Sequence, residues 1–295
     1  LKKASAKQLH TYFFGRNKYD VEIAFLEGIS TKIISGSTSK KVKTIAWIHT
    51  DLDKHGWFKK AFLTEKEIEE CYHRFDEVVC VSEKVKIIFE KMYHKKATVK
   101  INPLDSNIVK IKAKEKISLE KQENTFYYVT VGRFTKEKGI ERLLNIHARL
   151  RKKGYSIQLW IIGKGELQDE LTHIIHDHKI EDSVSMLGFQ QSAYKYMAQA
   201  DLYVCSSYVE GLSTTILESL CLGIPVVTTD CPGMKELLGD SDYGYITKNT
   251  EEALFHGIKT LLDNKEMYER YKRMSLVRGE QLRIERNIAA IEEMF

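Results

Sequence analysis

The sequence has no apolar run near the roughly 20 residues that a membrane-crossing helix needs. Its longest runs, WIIG, LYVC and IPVV, are strand-sized. Residues 1–20 are polar and basic and lack the apolar core of a secretory signal. The five cysteines, Cys71, Cys80, Cys205, Cys221 and Cys231, are odd in number and form no C-x-x-C. With apolar neighbours of strand or helix type, they read as buried thiols of a reducing compartment rather than as disulfides or metal ligands. No P-loop of the form G-x-x-x-x-G-K-[ST] occurs. The nearest approach to a dinucleotide-binding G-x-G-x-x-G begins at Gly163 and Gly165 but has Gln168 where the third glycine belongs. Internal repeats and low-complexity tracts are absent as well. A membrane span, a disulfide framework, a Walker-type NTPase and a dinucleotide-dependent oxidoreductase are therefore all disfavoured.

What remains is a chain of 295 residues, 43% apolar, long enough for two domains with their own cores. Its charge is uneven. Residues 1–110 hold 21 Lys and Arg against 14 Asp and Glu, and the remainder holds 25 against 27. A basic first part suits an anionic partner, a lipid surface being one, although solvated lysines explain the balance equally well. The chain opens on Leu1 in mid-pattern, and we expect further residues ahead of it.

Short runs rich in Val and Ile alternate with helical periodicity. In the first part the runs are 19–25, 43–49, 77–82 and 97–102, with helical patterns near 64–75 and 82–93. Asn102-Pro103 interrupts the series, and the charged stretch 110–124 reads as a linker with surface. A second series follows at 126–132, 157–163, 184–189, 201–207 and 224–230. Its helical patterns lie near 139–153, 166–178, 192–200, 214–222 and 233–238, and a charged helical tail begins at 250. Continuous apolar runs alternating with helices imply parallel sheets covered on both faces. The expected architecture is α/β with two Rossmann-like domains, the first incomplete: one at 1–108, a linker at 109–124, a second at 125–280 and a closing helix at 281–295 that packs back on the first domain. Ligands of such folds bind at the carboxyl ends of the strands.

The segment 205–238, CSSYVEGLSTTILESLCLGIPVVTTDCPGMKELL, is the most informative. A strand ends near Ser207 and a helix starts near Thr214, with Glu210 in the loop and Glu218 one turn inside the helix. Ser213, Thr214 and Thr215 gather at the helix start, where free N–H groups and the helix dipole attract anions. A diphosphate there would leave a sugar near Glu210 and a ribose near Glu218. An ordinary N-cap beside surface glutamates is the plain alternative. A second segment, VGRFTKEKGIERLL (131–144), sets Arg133 and Lys138 between a strand and a helix, where two cations can clamp a diphosphate as its charge develops.

Both segments resemble the family-4 glycosyltransferases. Glu210 and Glu218 match that family's E-x7-E motif, and Gly132, Arg133, Lys138 and Gly139 match its G-R-x-x-x-x-K-G. The resemblance implies a retaining, metal-independent enzyme of the GT-B fold that takes sugar from a nucleotide-diphosphate donor without a cofactor. It assigns Glu210 to the donor sugar hydroxyls, Glu218 to the ribose hydroxyls, and the backbone near Thr214 and Thr215 to phosphate oxygens. Gly163 and Gly165 resemble the family's G-x-G loop near the nucleotide, and Gly188 and Phe189 a loop whose backbone meets the base. His49, which ends the apolar run KTIAWIH, resembles a histidine placed near the donor sugar. The Asp51-x-Asp53 pair mimics the metal motif of a different glycosyltransferase fold and reads better as a surface loop. The expected function is transfer of a hexose or N-acetylhexosamine, from UDP-sugar by preference, to a glycan, lipid-linked or surface-polysaccharide acceptor. We expect cytoplasmic placement at the inner membrane face and no nucleic-acid partner. A catalytically silent sugar-nucleotide-binding subunit and a sugar-nucleotide epimerase are the competing readings.

Overall fold

Runs of Val, Ile and aromatic residues fold as strands where consecutive side chains find cover on both faces. In the computed structural model, which describes residues 1–15, 19–117 and 119–295 (without the side chain of Arg286), KTIAWI and FYYVTV are such strands, buried at nearly every position. The chain divides into two units. The first comprises residues 1–102 and 287–295, the second residues 103–286. The boundary expected at residue 108 thus falls after Asn102.

The first unit runs α1 (Ala6–Phe14), β1 (Val21–Ala24), α2 (Ile29–Ile34), β2 (Lys43–Ile48), α3 (Glu65–His73), β3 (Glu77–Cys80), α4 (Glu83–Tyr93) and β4 (Thr98–Val99). Its four strands are parallel, in the order β1-β2-β3-β4. The last is only two residues long, shorter than the apolar run 97–102 suggested. Lys32, on α2, is fully buried. Its ammonium meets Glu67 at 2.8 Å and donates to the carbonyls of Lys2 (2.7 Å) and Ala61 (3.2 Å), so its charge is neutralised and its donors are used. The closing residues from Asn287 group with this unit, where Lys43 donates to the carbonyl of Met294.

The second unit begins with α5 (Ser106–Ala113), followed by β5 (Phe126–Val131), α6 (Ile140–Lys152), β6 (Ile157–Ile162), α7 (Gln168–His178), β7 (Val184–Gly188), α8 (Tyr194–Met197), β8 (Leu202–Cys205), α9 (Thr214–Cys221), β9 (Val226–Thr229), α10 (Met234–Leu238), β10 (Tyr245–Thr247), α11 (Glu251–Asp263) and α12 (Lys265–Gln281); α13 (Ile284–Glu292) leads out of it. α5 lies where a linker was expected. Asp105 caps it, accepting from the amides of Asn107 (2.9 Å) and Ile108 (3.1 Å), and Lys110 within it pairs with Glu280 (3.0 Å).

The second sheet is wholly parallel, in the order β10-β9-β8-β5-β6-β7. From β5 the chain winds outward through β6 and β7, then returns to the other side of β5 to continue through β8, β9 and β10. The loops leaving β5 and β8 therefore part at a topological switch point, which opens a crevice at the carboxyl ends of the strands. The core below includes Tyr128, Leu143, Leu159, Ile161, Val204 and Ile258, all fully buried.

One buried polar chain ties that core together. Tyr128 Oη and His147 Nδ1 lie 2.7 Å apart, and His147 Nε2 and Ser183 Oγ 3.0 Å apart, linking β5, α6 and the approach to β7. Burial, reinforced by the charge of Arg151, pushes the His147 pKa down to about 3. The folded value lies below the unfolded value near 6.5. The neutral ring's contribution to stability is therefore full above pH 6.5 and is lost as pH falls toward 3. His147→Gln should cost about 2–4 kcal/mol at pH 7.5 and flatten the loss of stability between pH 6.5 and 4. Denaturant midpoints measured across that range check both effects, and equally steep curves for the two proteins would rule His147 out as the titrating group.

Candidate active site

Three loops at the carboxyl end of the second sheet come together because glycines let their backbones touch. The β5 strand gives way to Gly132, whose N–H donates to the carbonyl of Ile162 (3.0 Å). Gly163, after β6, has φ +145°, and a Cβ there would lie 1.8 Å from the Gly132 oxygen. A Cβ on Gly165 would lie 2.5 Å from the Phe134 oxygen. Phe134 is buried and locks the two loops, donating to the Lys164 carbonyl (3.0 Å) and accepting from Leu167 (3.1 Å). Gly188, the last residue of β7, accepts from the Gly163 amide (2.9 Å). These approaches floor a cavity of about 790 Å³, lined among others by Gly132, Arg133, Lys164, Gln168, Phe189 and Gln190. Phe189 is 67% exposed, and the Lys164 ammonium lies 5.2 Å from its ring centroid.

The β5 and β8 loops meet beside this cavity. After the 3-10 turn Lys136–Lys138, Gly139 takes φ +58°, and a Cβ there would lie 2.3 Å from the Ser206 oxygen. Ser206 Oγ donates to the Lys138 carbonyl (2.9 Å), and the Tyr208 amide donates to the Glu137 carbonyl (2.7 Å). So joined, the loops set Lys138 Nζ 2.6 Å from Glu210 Oε1. Ser207 Oγ donates to the same oxygen at 2.6 Å. Burial works against the Lys138 ammonium, but the Glu210 carboxylate outweighs it by charge and hydrogen bonding, and the lysine pKa is raised. The two cations of the expected clamp are thus not alike: Arg133 is exposed at the cavity, whereas Lys138 is held by a carboxylate.

Beneath this pair lies a residue that the sequence reading missed. Arg142, only 2% exposed, donates through Nε to the Ser206 carbonyl (2.7 Å), through Nη2 to the Ser207 carbonyl (2.7 Å) and through Nη1 to Asn249 Oδ1 (2.9 Å). Its guanidinium stacks 3.8 Å from the Tyr208 ring centroid. It fixes the backbone that carries Ser207 and Glu210.

α9 starts where expected. Ser213 is its N-cap and accepts from the Ile216 amide (3.4 Å). Thr214 is exposed, and Thr215 Oγ1 lies 2.6 Å from Tyr203 Oη and 3.0 Å from Ser213 Oγ. Glu218, one turn along, accepts from the hydroxyl of Tyr194 at 3.0 Å. Burial raises its pKa to about 7, against the opposing pull of that hydrogen bond.

His49 belongs to the first unit, at the end of β2. Its ring lies 4.8 Å from that of Phe25, and both ring nitrogens are buried without a partner in hydrogen-bond geometry. Burial lowers its pKa. The charge of Glu27, with the Trp47 backbone and the Asn102 side chain, opposes that shift without reversing it, so the ring is neutral at pH 7. Glu27 was also missed. It is 1% exposed, and its Oε1 accepts from the amides of His49 (2.5 Å) and Thr50 (2.8 Å), which fixes the turn bearing His49. Its visible signal is a Glu-Gly step after a strand, with Gly28 at φ +83°. Asp51 is buried, not part of a surface loop. Its Oδ1 accepts from the amides of Asp53 (3.1 Å) and Lys54 (3.2 Å), so one oxygen of that carboxylate serves the turn. Among the described residues no helix is long and apolar enough to cross a membrane, and all five cysteines are buried and free.

A family model described as "Glycosyl transferases group 1" matches residues 111–275. The Campylobacter jejuni protein named N-acetylgalactosamine-N,N'-diacetylbacillosaminyl-diphospho-undecaprenol 4-alpha-N-acetylgalactosaminyltransferase is 34% identical over 187 residues, covering 63% of this chain and 49% of that protein. Among solved structures, sucrose-phosphate synthase from Thermosynechococcus elongatus superposes with a TM-score of 0.81 at 14% identity, covering 98% of this chain and 76% of that one. Anabaena HepE in complex with UDP and glucose gives 0.78 at 17% identity, with 98% and 80% covered. The chain spans about half the length of the curated relatives it matches.

The Glu218 environment has a stability consequence. Its folded pKa lies above the ordinary 4.5, so the contribution of its protonated form is full below pH 4.5 and is lost as pH rises through about 7. At about 1.36 kcal/mol per pKa unit, the upper limit is about 3 kcal/mol. Glu218→Gln should therefore stabilise the protein at pH 8 by about 1–2 kcal/mol, partial hydration reducing the full figure, and change it little at pH 4. Melting curves at the two pH values test this; equal effects at both would remove the case for a strained carboxylate.

Proposed function

Because the chain belongs to the group 1 glycosyl transferases and its two parallel α/β units are of the GT-B class, we propose that it transfers a hexose or N-acetylhexosamine, with retention, from a nucleotide-diphosphate sugar to a glycan, lipid-linked or surface-polysaccharide acceptor. The observation that carries this reading is the Lys138–Glu210 pair at the switch point, beside the cavity floored by Gly132, Gly163 and Gly165. The nucleotide occupies the cavity. Arg133 holds the diphosphate from the exposed side, and Lys138 turns to it as the donor arrives, with the start of α9 in support. Glu210, released, accepts from the sugar hydroxyls, and Glu218 from the ribose hydroxyls.

UDP is the favoured carrier. Guanine presents two donors on one edge, which a carboxylate matches best, and among the described residues no Asp or Glu lines the cavity. The side-chain amides of Gln168 and Gln190 can both donate to and accept from uracil. The bond from the anomeric carbon to the leaving phosphate oxygen breaks, its electron pair going to phosphate, while the acceptor oxygen attacks the same face and passes its proton to that phosphate oxygen. Arg133 and Lys138 stabilise the developing charge without a metal. His49, in the first unit, is neutral, so any part it takes is as a hydrogen-bonding group rather than a cation. The name of the Campylobacter relative supports a lipid-linked acceptor. The charge balance of residues 1–110 and the five free thiols support a cytoplasmic protein peripheral to an anionic membrane.

Arg133→Ala and Lys138→Ala should each weaken UDP binding about tenfold to a hundredfold, since hydrogen bonds between charged groups contribute about 1.5–3 kcal/mol. Calorimetry decides it, and unchanged affinity in both variants would refute the clamp. Sugar transfer or slow donor hydrolysis should continue in excess EDTA. Activity lost in EDTA and restored by manganese would contradict metal-free catalysis.

A further inference from the structure

The loop from β7 into α8 walls one side of the cavity through Phe189, Gln190 and Ala193. The residue after Ala193, Tyr194, leaves that wall and donates its hydroxyl to Glu218 Oε1 at 3.0 Å. This hydrogen bond joins the base side of the site to the acid on α9. Building on the proposed role of Glu218, we propose that Tyr194 is a positioning residue for ribose recognition: by holding one oxygen of Glu218 it leaves the other aimed at the ribose hydroxyls, and so sets discrimination between ribonucleotides and 2'-deoxyribonucleotides.

A carboxylate receives two vicinal hydroxyls well only if its plane is fixed, and a glutamate on the first turns of a helix has three rotatable bonds to lose. The Tyr194 bond removes that freedom before the nucleotide arrives. The direction of the bond is settled as well: burial, with Glu218 adding, pushes the tyrosine pKa up to about 12, so the hydroxyl stays a donor. Among the described residues, the other titratable groups on which the charge of Glu218 acts are Tyr203 on β8 and Cys221 on its own helix. Burial raises the pKa of both, Cys221 to about 11, so they are neutral near pH 7. Lys110 on α5 and Glu280 on α12 act on Cys221, and pair with each other at 3.0 Å. The charge of Glu218 therefore titrates against one hydroxyl donor, and losing that donor moves the titration toward higher pH.

The experiment compares UDP with 2'-deoxy-UDP by calorimetry from pH 5.5 to 8.5, on the whole chain and on Tyr194→Phe, Tyr194→Gln and Glu218→Gln. The parent should prefer UDP, and its affinity for UDP should fall as pH drops through about 7. Tyr194→Phe should lose about three- to tenfold in UDP affinity with little change for the deoxynucleotide, and its pH midpoint should rise. Tyr194→Gln, which keeps a donor, should recover part of the preference and also serves if the phenylalanine variant folds poorly. Glu218→Gln should abolish the difference in pH dependence between UDP and its 2'-deoxy analogue, leaving the titration of the terminal phosphate that both share. If Tyr194→Phe retains both the preference and the pH midpoint of the parent, or if the parent binds the two nucleotides equally, the inference is overturned. If the parent binds neither, the nucleotide-site reading itself falls.

Discussion

The structure of the site depends on one ion pair, Lys138 with Glu210. The two side chains stand 72 positions apart in sequence and 2.6 Å apart in space. Only a sheet that reverses its winding between β5 and β8 brings their loops to one crevice. The remaining requirements follow from that. Gly139 must lack a Cβ, because the Ser206 carbonyl occupies the place one would fill. Arg142 must be buried, because the Ser206 and Ser207 carbonyls turn inward and need donors there. Ser207 must carry a hydroxyl if the shared Glu210 oxygen is to have its second partner. Removing one member of such a pair leaves a poorly hydrated charge, a loss of about 3–5 kcal/mol when burial is complete. The pair is also suited to exchange, since a diphosphate offers the lysine a stronger acceptor and a sugar offers the glutamate several donors.

All the strands but β10 were legible because parallel strands, covered on two faces, appear as continuous apolar runs. The placement of Arg133, Lys138 and Glu210 between strands and helices, and of Glu218 one turn inside α9, was legible locally, whereas their assignment to a donor site came from the resemblance. Residues that act from below were not. Arg142 sits in ERLLNIHARL among basic residues that read as one solvated face, and nothing local says that its guanidinium turns toward carbonyls from another loop. Tyr194 lies in a helical pattern whose observed helix has only four residues, so its face could not be read from periodicity. α5 was taken for linker because its lysines mask a narrow buried stripe at Ser106 and Val109. β10, three residues long and followed by a charged helix, gave too short an apolar run to register. In each case the deciding partner is remote in sequence.

The two acids of the site differ in environment. Glu210 has a cation and a hydroxyl at one oxygen. Glu218 has one phenol and a pKa near 7. In the proposed mechanism the first exchanges a protein partner for a ligand, and the second is a strained group that the ribose relieves. In the first unit Glu27 plays a supporting part, fixing through backbone amides the turn that carries a neutral His49.

In the proposed mechanism Glu210 competes with the donor diphosphate for Lys138. UDP affinity in Glu210→Gln tests it most directly, because glutamine keeps the size and the hydrogen bond from Ser207 while releasing the lysine. This variant should bind UDP several-fold more tightly than the parent, and the gain should disappear in a Lys138→Met background. Weaker UDP binding in Glu210→Gln, or an equal gain with and without Lys138, would contradict it.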